Sequence, residues 1–266
     1  MRFAVLADVH ANLHALDAAL AFLAGQDVDA YLCAGDLVGY GPFPNECVQR
    51  VRDLPGRCVA GNHDLIVIGR LSDERCVPLA RTSLRWTRAV LEPQERAFLA
   101  ELPSGASEDG VALRHGSVGD PQEYVLTEER AAACLRDIRR VAPGTDILVL
   151  GHTHRPMAFG ERAGWLLRGT TGAVSLPPDE AIVLNPGAIG QSRSRDARAR
   201  FAVLDMTARE ATFHALPYDV EACRRALEER GLPPQSCHVP RSRWDDVASA
   251  LWPRVRRLAG WRGRGS

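Results

Sequence analysis

Five short apolar runs in the first 154 residues end in the same kind of polar cluster, and this repetition constrains the fold more than any other feature. RFAVLAD (2–8) leads into Asp8-Val9-His10, DAYLCAGD (29–36) into Gly35-Asp36, and RCVAGNHD (57–64) into Gly61-Asn62-His63-Asp64. GVALRHG (110–116) ends at His115-Gly116, and DILVLGHTH (146–154) at Gly151-His152-Thr153-His154. Short apolar runs bounded by glycine read as buried strands. Helical periodicity occupies NLHALDAALAFLAG (12–25), NECVQRVRDL (45–54) and TEERAAACLRDIRR (127–140). Strands alternating with helices predict an α/β layered fold.

Residues 65–105, with PLARTSLRWTRAVL and PQERAFLAELP, read as a mostly helical insert on the side of the polar clusters, covering the sheet. After residue 155 the pattern changes to short strands joined by turns: WLLRG, AIVLNPG, ARFAVLD and ATFHALP. These predict a second, largely antiparallel sheet. Residues 1–230 read as one domain and 231–266 as a C-terminal extension. Its last part, 240–266, holds seven arginines, two aspartates and three of the five tryptophans. That composition suits a helix docking an apolar face, or a nucleic-acid or partner contact through Arg and aromatic side chains. Pro253 and the closing glycines argue against one long helix.

Composition narrows the function classes. Basic and acidic residues balance at 33 each, so no global field favours nucleic acid or membrane. The 240–266 segment is net +5, which leaves −5 on the rest and no evident basic groove for a nuclease. No stretch reaches the ~20 apolar residues of a membrane span, and Asp8 falls too early for a signal peptide. Seven cysteines without a CxxC pair fit reduced thiols, and the expected compartment is the cytoplasm.

In an open α/β sheet, side chains at the carboxyl ends of strands converge on one crevice. The clusters would bring three carboxylates, five histidines and one asparagine to it. A lone DxH or HxH arises easily by chance or as a hydrogen-bonded surface pair, but the ordered set at successive strand ends points to metal. Aspartate with imidazole suits manganese, iron(II) or zinc. The ligands are too many for one ion, and two ions bridged by a carboxylate and a hydroxide serve in-line phosphoryl displacement. His152 and His154, on a turn, would each reach a different ion.

The ordered motifs DVH, GDLV, GNHD, HG and GHTH resemble the pattern of the calcineurin-like metallophosphoesterase superfamily, over residues 1 to about 217 and including the NPGAIG turn (185–190). The resemblance implies a two-sheet sandwich flanked by helices, with Asp8, His10 and His154 on one metal and Asn62, His115 and His152 on the other. Asp36 would bridge the two. His63 would stabilise the transition state and protonate the leaving oxygen, and Asp64 would orient His63 through its free ring nitrogen.

The resemblance is closest to the diadenosine-tetraphosphatase-like and protein-phosphatase-like branch, and this chain departs from it. Where those relatives carry an arginine after GD, this chain has Tyr40 in GDLVGYGP, and Val59-Ala60 replace another arginine before GNHD. Such arginines clamp a dianionic phosphate, so their loss tilts the expectation towards phosphodiesters of small organic phosphates or nucleotides. Dinucleoside polyphosphate hydrolysis, phosphomonoester hydrolysis and a non-catalytic scaffold are the alternatives. Arg155 is a candidate replacement clamp, and Tyr40, Asn12 and Tyr124 are candidates to line the substrate site. His14, His214 and His238 read as structural or surface residues.

Overall fold

The computed structural model describes residues 1–239; the Arg/Trp-rich segment 240–266 lies outside the described residues. The first half of the chain forms β1 (Arg2–Leu6), α1 (Leu13–Leu23), β2 (Ala30–Cys33), α2 (Pro44–Arg52), β3 (Gly56–Cys58), α3 (Asn62–Val67), α4 (Pro78–Val90), α5 (Pro93–Glu101), β4 (Ala106–Glu108) and β5 (Val111–Leu113). There follow α6 (Glu128–Val141), β6 (Ile147–Val149), β7 (Pro156–Gly160), β8 (Gly164–Arg168), β9 (Gly172–Ser175), β10 (Ile182–Pro186), β11 (Ala199–Asp205), β12 (Glu210–Leu216) and α7 (Val220–Glu229).

Two six-stranded mixed sheets result, ordered β3-β2-β1-β11-β12-β9 and β4-β5-β6-β10-β7-β8. Alternation along the strands places them face to face. Phe3, Val5 and Ala7 of the first sheet share one apolar cluster with Val111, Leu113, Ile147 and Val149 of the second. The intervening Ala4 and Leu6 face a second cluster with Leu16, Val48, Leu84 and Leu99 of α1, α2, α4 and α5. Ala112 and Leu148 face a third with Leu135 and Ile138 of α6. The layers are therefore helix, sheet, sheet, helix, the expected sandwich.

The expected separate antiparallel sheet does not form. β11, β12 and β9 extend the first sheet from β1, while β10, β7 and β8 extend the second from β6. Hydrophobic pattern identifies a strand but not its neighbour, and these late strands complete both sheets. Helices α4 and α5 of the 65–105 segment pack on the first sheet. The segment also reaches the polar loops, because Ser83 of α4 accepts from the Tyr40 backbone N–H at 3.0 Å. The expected boundary at residue 230 falls inside packed structure: Leu232 and Cys237 join Cys223 and Leu227 of α7, and Ser192 bridges His238.

Asn12, a candidate substrate contact, is wholly buried and fully occupied by structure. Its Oδ1 caps α1 by accepting from the Ala15 N–H (3.1 Å), while Nδ2 donates to the Gly190 carbonyl (2.8 Å) and the Tyr218 hydroxyl (3.2 Å). A side chain locked this way has no donor left for a ligand. Asn12→Ala is expected to cost about 1–2 kcal/mol by removing the cap and orphaning buried groups, read as a lower denaturation midpoint. An unchanged midpoint with weaker substrate binding would return Asn12 to the substrate site.

Candidate metal centre

β1, β2 and β3 run parallel in one sheet, and β5, β6 and β10 in the other. Their carboxyl ends carry Asp8/His10, Asp36, Asn62/His63, His115, His152/His154 and the 187–193 loop. The candidate residues from Asp8 to His154 are all less than a tenth exposed, although separated by up to 146 positions in the sequence.

The loops fold back sharply at the site. Asp8, His10, Ala11, Asp36, Tyr40, His152 and His154 all have φ between 47° and 66°, a left-handed backbone that Asp and His tolerate better than most residues. Glycine is needed where the loops meet. A Cβ on Gly61 would lie 2.1 Å from Asp36 Oδ1, and one on Gly39 (φ +86°) would lie 2.2 Å from His63 Nδ1.

Ligand-type atoms converge in three groups, each within 4.8 Å: Asp8/His10/His154, His10/Asp36/His63 and Asp36/His115/His152. The first and third adjoin across Asp36 and the His10 ring. Backbone carbonyls fix the tautomers: Nδ1 of His10 faces Val38 O (3.1 Å), that of His115 faces Ala34 O (2.6 Å), and that of His154 faces Gln191 O (2.7 Å). A carbonyl only accepts, so each Nδ1 carries the hydrogen and each ring turns its Nε2 inward, as a lone pair where the ring is neutral. His10 Nε2 and His154 Nε2 then face each other at 3.1 Å. Two lone pairs at that distance repel unless a cation or a proton lies between them. His152 Nε2 is buried without a hydrogen-bond partner among the described residues, and Asn62 Oδ1 lies 3.0 Å from His115 Nε2. The donor set fits divalent metal.

Backbone amides hold the carboxylates. The His152 N–H donates to both Asp8 oxygens (3.1 and 3.0 Å), and the His63 N–H donates to Asp36 Oδ1 (2.8 Å). Burial pushes the Asp8 carboxyl up to about 6, against the pull of His115 and His10. For Asp36, burial is outweighed by His115 and His63, which hold it well below the carboxylate range. For His115, burial is in turn outweighed by Asp36, whose Oδ2 lies 3.2 Å away, and the imidazole rises to about 10. Burial holds His10, His152 and His154 well below the usual histidine range, so their rings are neutral.

Asp64 does not orient His63. Its Oδ1 accepts from the Leu37 and Val38 N–H groups (2.9 and 3.2 Å) and its Oδ2 from Gly61 (2.9 Å), while His63 Nδ1 has no hydrogen-bond partner among the described residues. Asp64 instead ties the Asp36 loop to the start of α3. The His63 ring is placed by packing: Tyr40 at 4.9 Å and His10 at 4.7 Å, with Gly39 beneath it. Tyr40 is 5% exposed and also packs edge-on to His10. Tyr124 stacks on His152 at 4.3 Å. Arg155 is half-buried beside His154 and faces an adjoining cavity.

The residues whose roles sequence reasoning missed lie at the end of β10 and in the loop after it. Asn185 Nδ2 donates to the Gly151 carbonyl (2.6 Å) and Thr153 Oγ1 (3.1 Å), pinning the GHTH turn, and the Gly190 N–H pins the Asp8 carbonyl (2.9 Å). Arg193 donates to the Tyr124 hydroxyl (3.1 Å) and the His152 carbonyl (3.4 Å). Burial works against its charge but is outweighed by Tyr124, Tyr40 and Asp8. The NPGAIG sequence marks the turn but not what Asn185 binds, and nothing local marks Arg193 among so many arginines.

This fold and this cluster define a metallophosphoesterase. The chain belongs to the calcineurin-like phosphoesterase superfamily, whose domain model matches residues 1–209. It is 30% identical over 236 residues to the uncharacterized protein MJ0912 of Methanocaldococcus jannaschii, covering 86% of this chain and 93% of the relative. Among solved structures it is similar to a metallophosphoesterase from Sphaerobacter thermophilus, with TM-score 0.76, 34% identity and coverage of 89% of this chain and 96% of that one. The hypothetical protein PH1004 of Pyrococcus horikoshii shares the fold, with TM-score 0.71, 20% identity and the same coverages.

Gly39→Ala tests the packing of His63. The added methyl should displace the ring while leaving the ligands in place, so metal content is expected to stay normal while kcat falls about 100-fold, the cost of a displacement near 1 Å. Metal analysis beside steady-state kinetics checks both halves.

Proposed function

We propose that this protein is a dinuclear-metal phosphoesterase that hydrolyses phosphodiester bonds of small organic phosphates or nucleotides. The observation that carries the reading is the run of three adjoining ligand groups, the first sharing His10 with the second and the second sharing Asp36 with the third. Asp8, His10 and His154 would hold one divalent ion, Asn62, His115 and His152 the other, and Asp36 would contact both. Manganese, iron(II) or zinc bound there would supply Lewis acidity to the phosphate oxygens and an ionised water as nucleophile. His63, beside Asp36 and His10 but not needed as a ligand, is assigned to protonate the departing alkoxide.

Tyr40 supports the diester preference. Where the resembled phosphatases place a guanidinium, this site places an aromatic ring packed on His10 and His63. A monoester carries about one more negative charge than a diester near neutral pH and needs more positive charge around it. One observation favours the second reading, a phosphomonoesterase: Arg193 brings a guanidinium to His152 from the opposite loop. The cysteines are free among the described residues, in keeping with a reducing cytoplasmic compartment, and the balanced overall charge favours small-molecule substrates over nucleic acid.

Asp36→Asn is expected to lose bound metal and activity together. His63→Ala should keep metal and lose about 10²–10⁴-fold in kcat; a normal rate in either variant overturns the assignment. Substrate class is read by supplying manganese and comparing an aryl phosphodiester with the matching monoester. Faster diester turnover is expected. Faster monoester turnover that Arg193→Ala selectively abolishes would establish the second reading.

A further inference from the structure

A cavity of about 630 Å³ opens beside the metal centre. Its inner end is formed by Arg193, bonded to the His152 carbonyl, and by Arg155, the residue after His154. Its walls add Arg168, Arg195 and Arg200, so five guanidinium groups line it against one carboxylate, Asp196. That carboxylate is taken by Arg200, which sits 7% exposed and also donates to Ser192 Oγ at 3.0 Å.

Three of the others, Arg168, Arg193 and Arg195, meet neutral groups or none within the walls. Arg193 donates to the Tyr124 hydroxyl, the Gln191 amide oxygen and the His152 carbonyl, and Arg168 donates to the Leu126 carbonyl while its guanidinium lies 4.7 Å above the Trp165 ring. Among the described residues no carboxylate pairs with Arg168, Arg193 or Arg195. These cations gather on a body whose 239 described residues carry a net −5, so the concentration is local. A guanidinium held by neutral acceptors keeps its full charge, and its planar fork matches the oxygens of a phosphate group.

We propose that this cavity is a subsite for a second, non-scissile phosphate group, so that the preferred substrate carries two or more phosphates. The inference rests on the phosphoesterase reading for the word substrate, but the subsite itself is a property of the arginines. The scissile phosphate lies at the metal ligands, while Arg193 and Arg155 mark the way from them into the cavity. Arg168 and Arg195, both exposed at the outer wall, bind the distal phosphate and leave its remaining oxygens in water.

The test is calorimetric titration of the full-length protein with inorganic tripolyphosphate, without added metal, so that anion binding is read apart from hydrolysis. Wild type is expected to bind it. Arg168→Ala/Arg195→Ala should bind at least ten-fold more weakly at low salt, and Arg168→Lys/Arg195→Lys should fall between, keeping charge but losing the fork. Both pairs are surface substitutions, and matching denaturation midpoints confirm that the fold is intact. Equal affinity in wild type and the alanine pair overturns the subsite, as does no binding by wild type. Binding that depends on both arginines in a protein with no phosphoesterase activity upholds the subsite and fails the proposed function instead.

Discussion

Burying three carboxylates and five imidazoles at one end of a sandwich is the constraint on which the rest of this structure depends. An uncompensated buried charge costs several kcal/mol, so each group must be held by something fixed. The fixing partners are main-chain atoms: the His152 amide on Asp8, the His63 amide on Asp36, three amides on Asp64, and carbonyls on the Nδ1 atoms of His10, His115 and His154. Backbone partners demand that the loops approach main chain to main chain. Gly39 and Gly61 exist for that approach, since a methyl at either would strike a site side chain.

The same loops carry seven non-glycine residues in the left-handed region. At about 1 kcal/mol or more each, their strain amounts to several kcal/mol that the loops cannot offset alone. The support comes from below. The loops with these residues leave β1, β2 and β6, whose last residues are buried between the sheets or beneath the helices, such as Val5, Leu6, Leu32 and Val149. Strand burial and loop strain are two sides of one arrangement: a rigid sandwich holds ligands in conformations that a free loop would abandon.

Much of this was legible in the chain. The five strand ends and the residue types upon them sufficed to bring Asp8, His10, Asp36, Asn62, His63, His115, His152 and His154 together, because in a layered α/β fold the position of a residue at a strand end fixes its face. Sheet membership of the later strands was not legible, since ARFAVLD reads the same whether it pairs with β1 or with β10. The roles of Asn12 and Asp64 were misjudged for a related reason. Both are polar residues next to ligands, yet what they bind is main chain, and main-chain partners leave no mark in the sequence. Arg193 was invisible because its importance comes from a contact with Tyr124, 69 positions away.

The loop after β10 couples two tasks that are usually considered apart. Gln191 receives the His154 Nδ1 hydrogen through its carbonyl, and its amide oxygen accepts from Arg193. Arg193 in turn holds the His152 carbonyl and the Tyr124 ring that stacks on His152. The segment that orients His152 and His154 therefore also brings a guanidinium to them. An anion drawn to Arg193 would pull on the same hydrogen bonds that position His152 and His154. The position of Arg193 and the orientation of His152 and His154 are thus not independent here: a change in this loop that moves one must move the other.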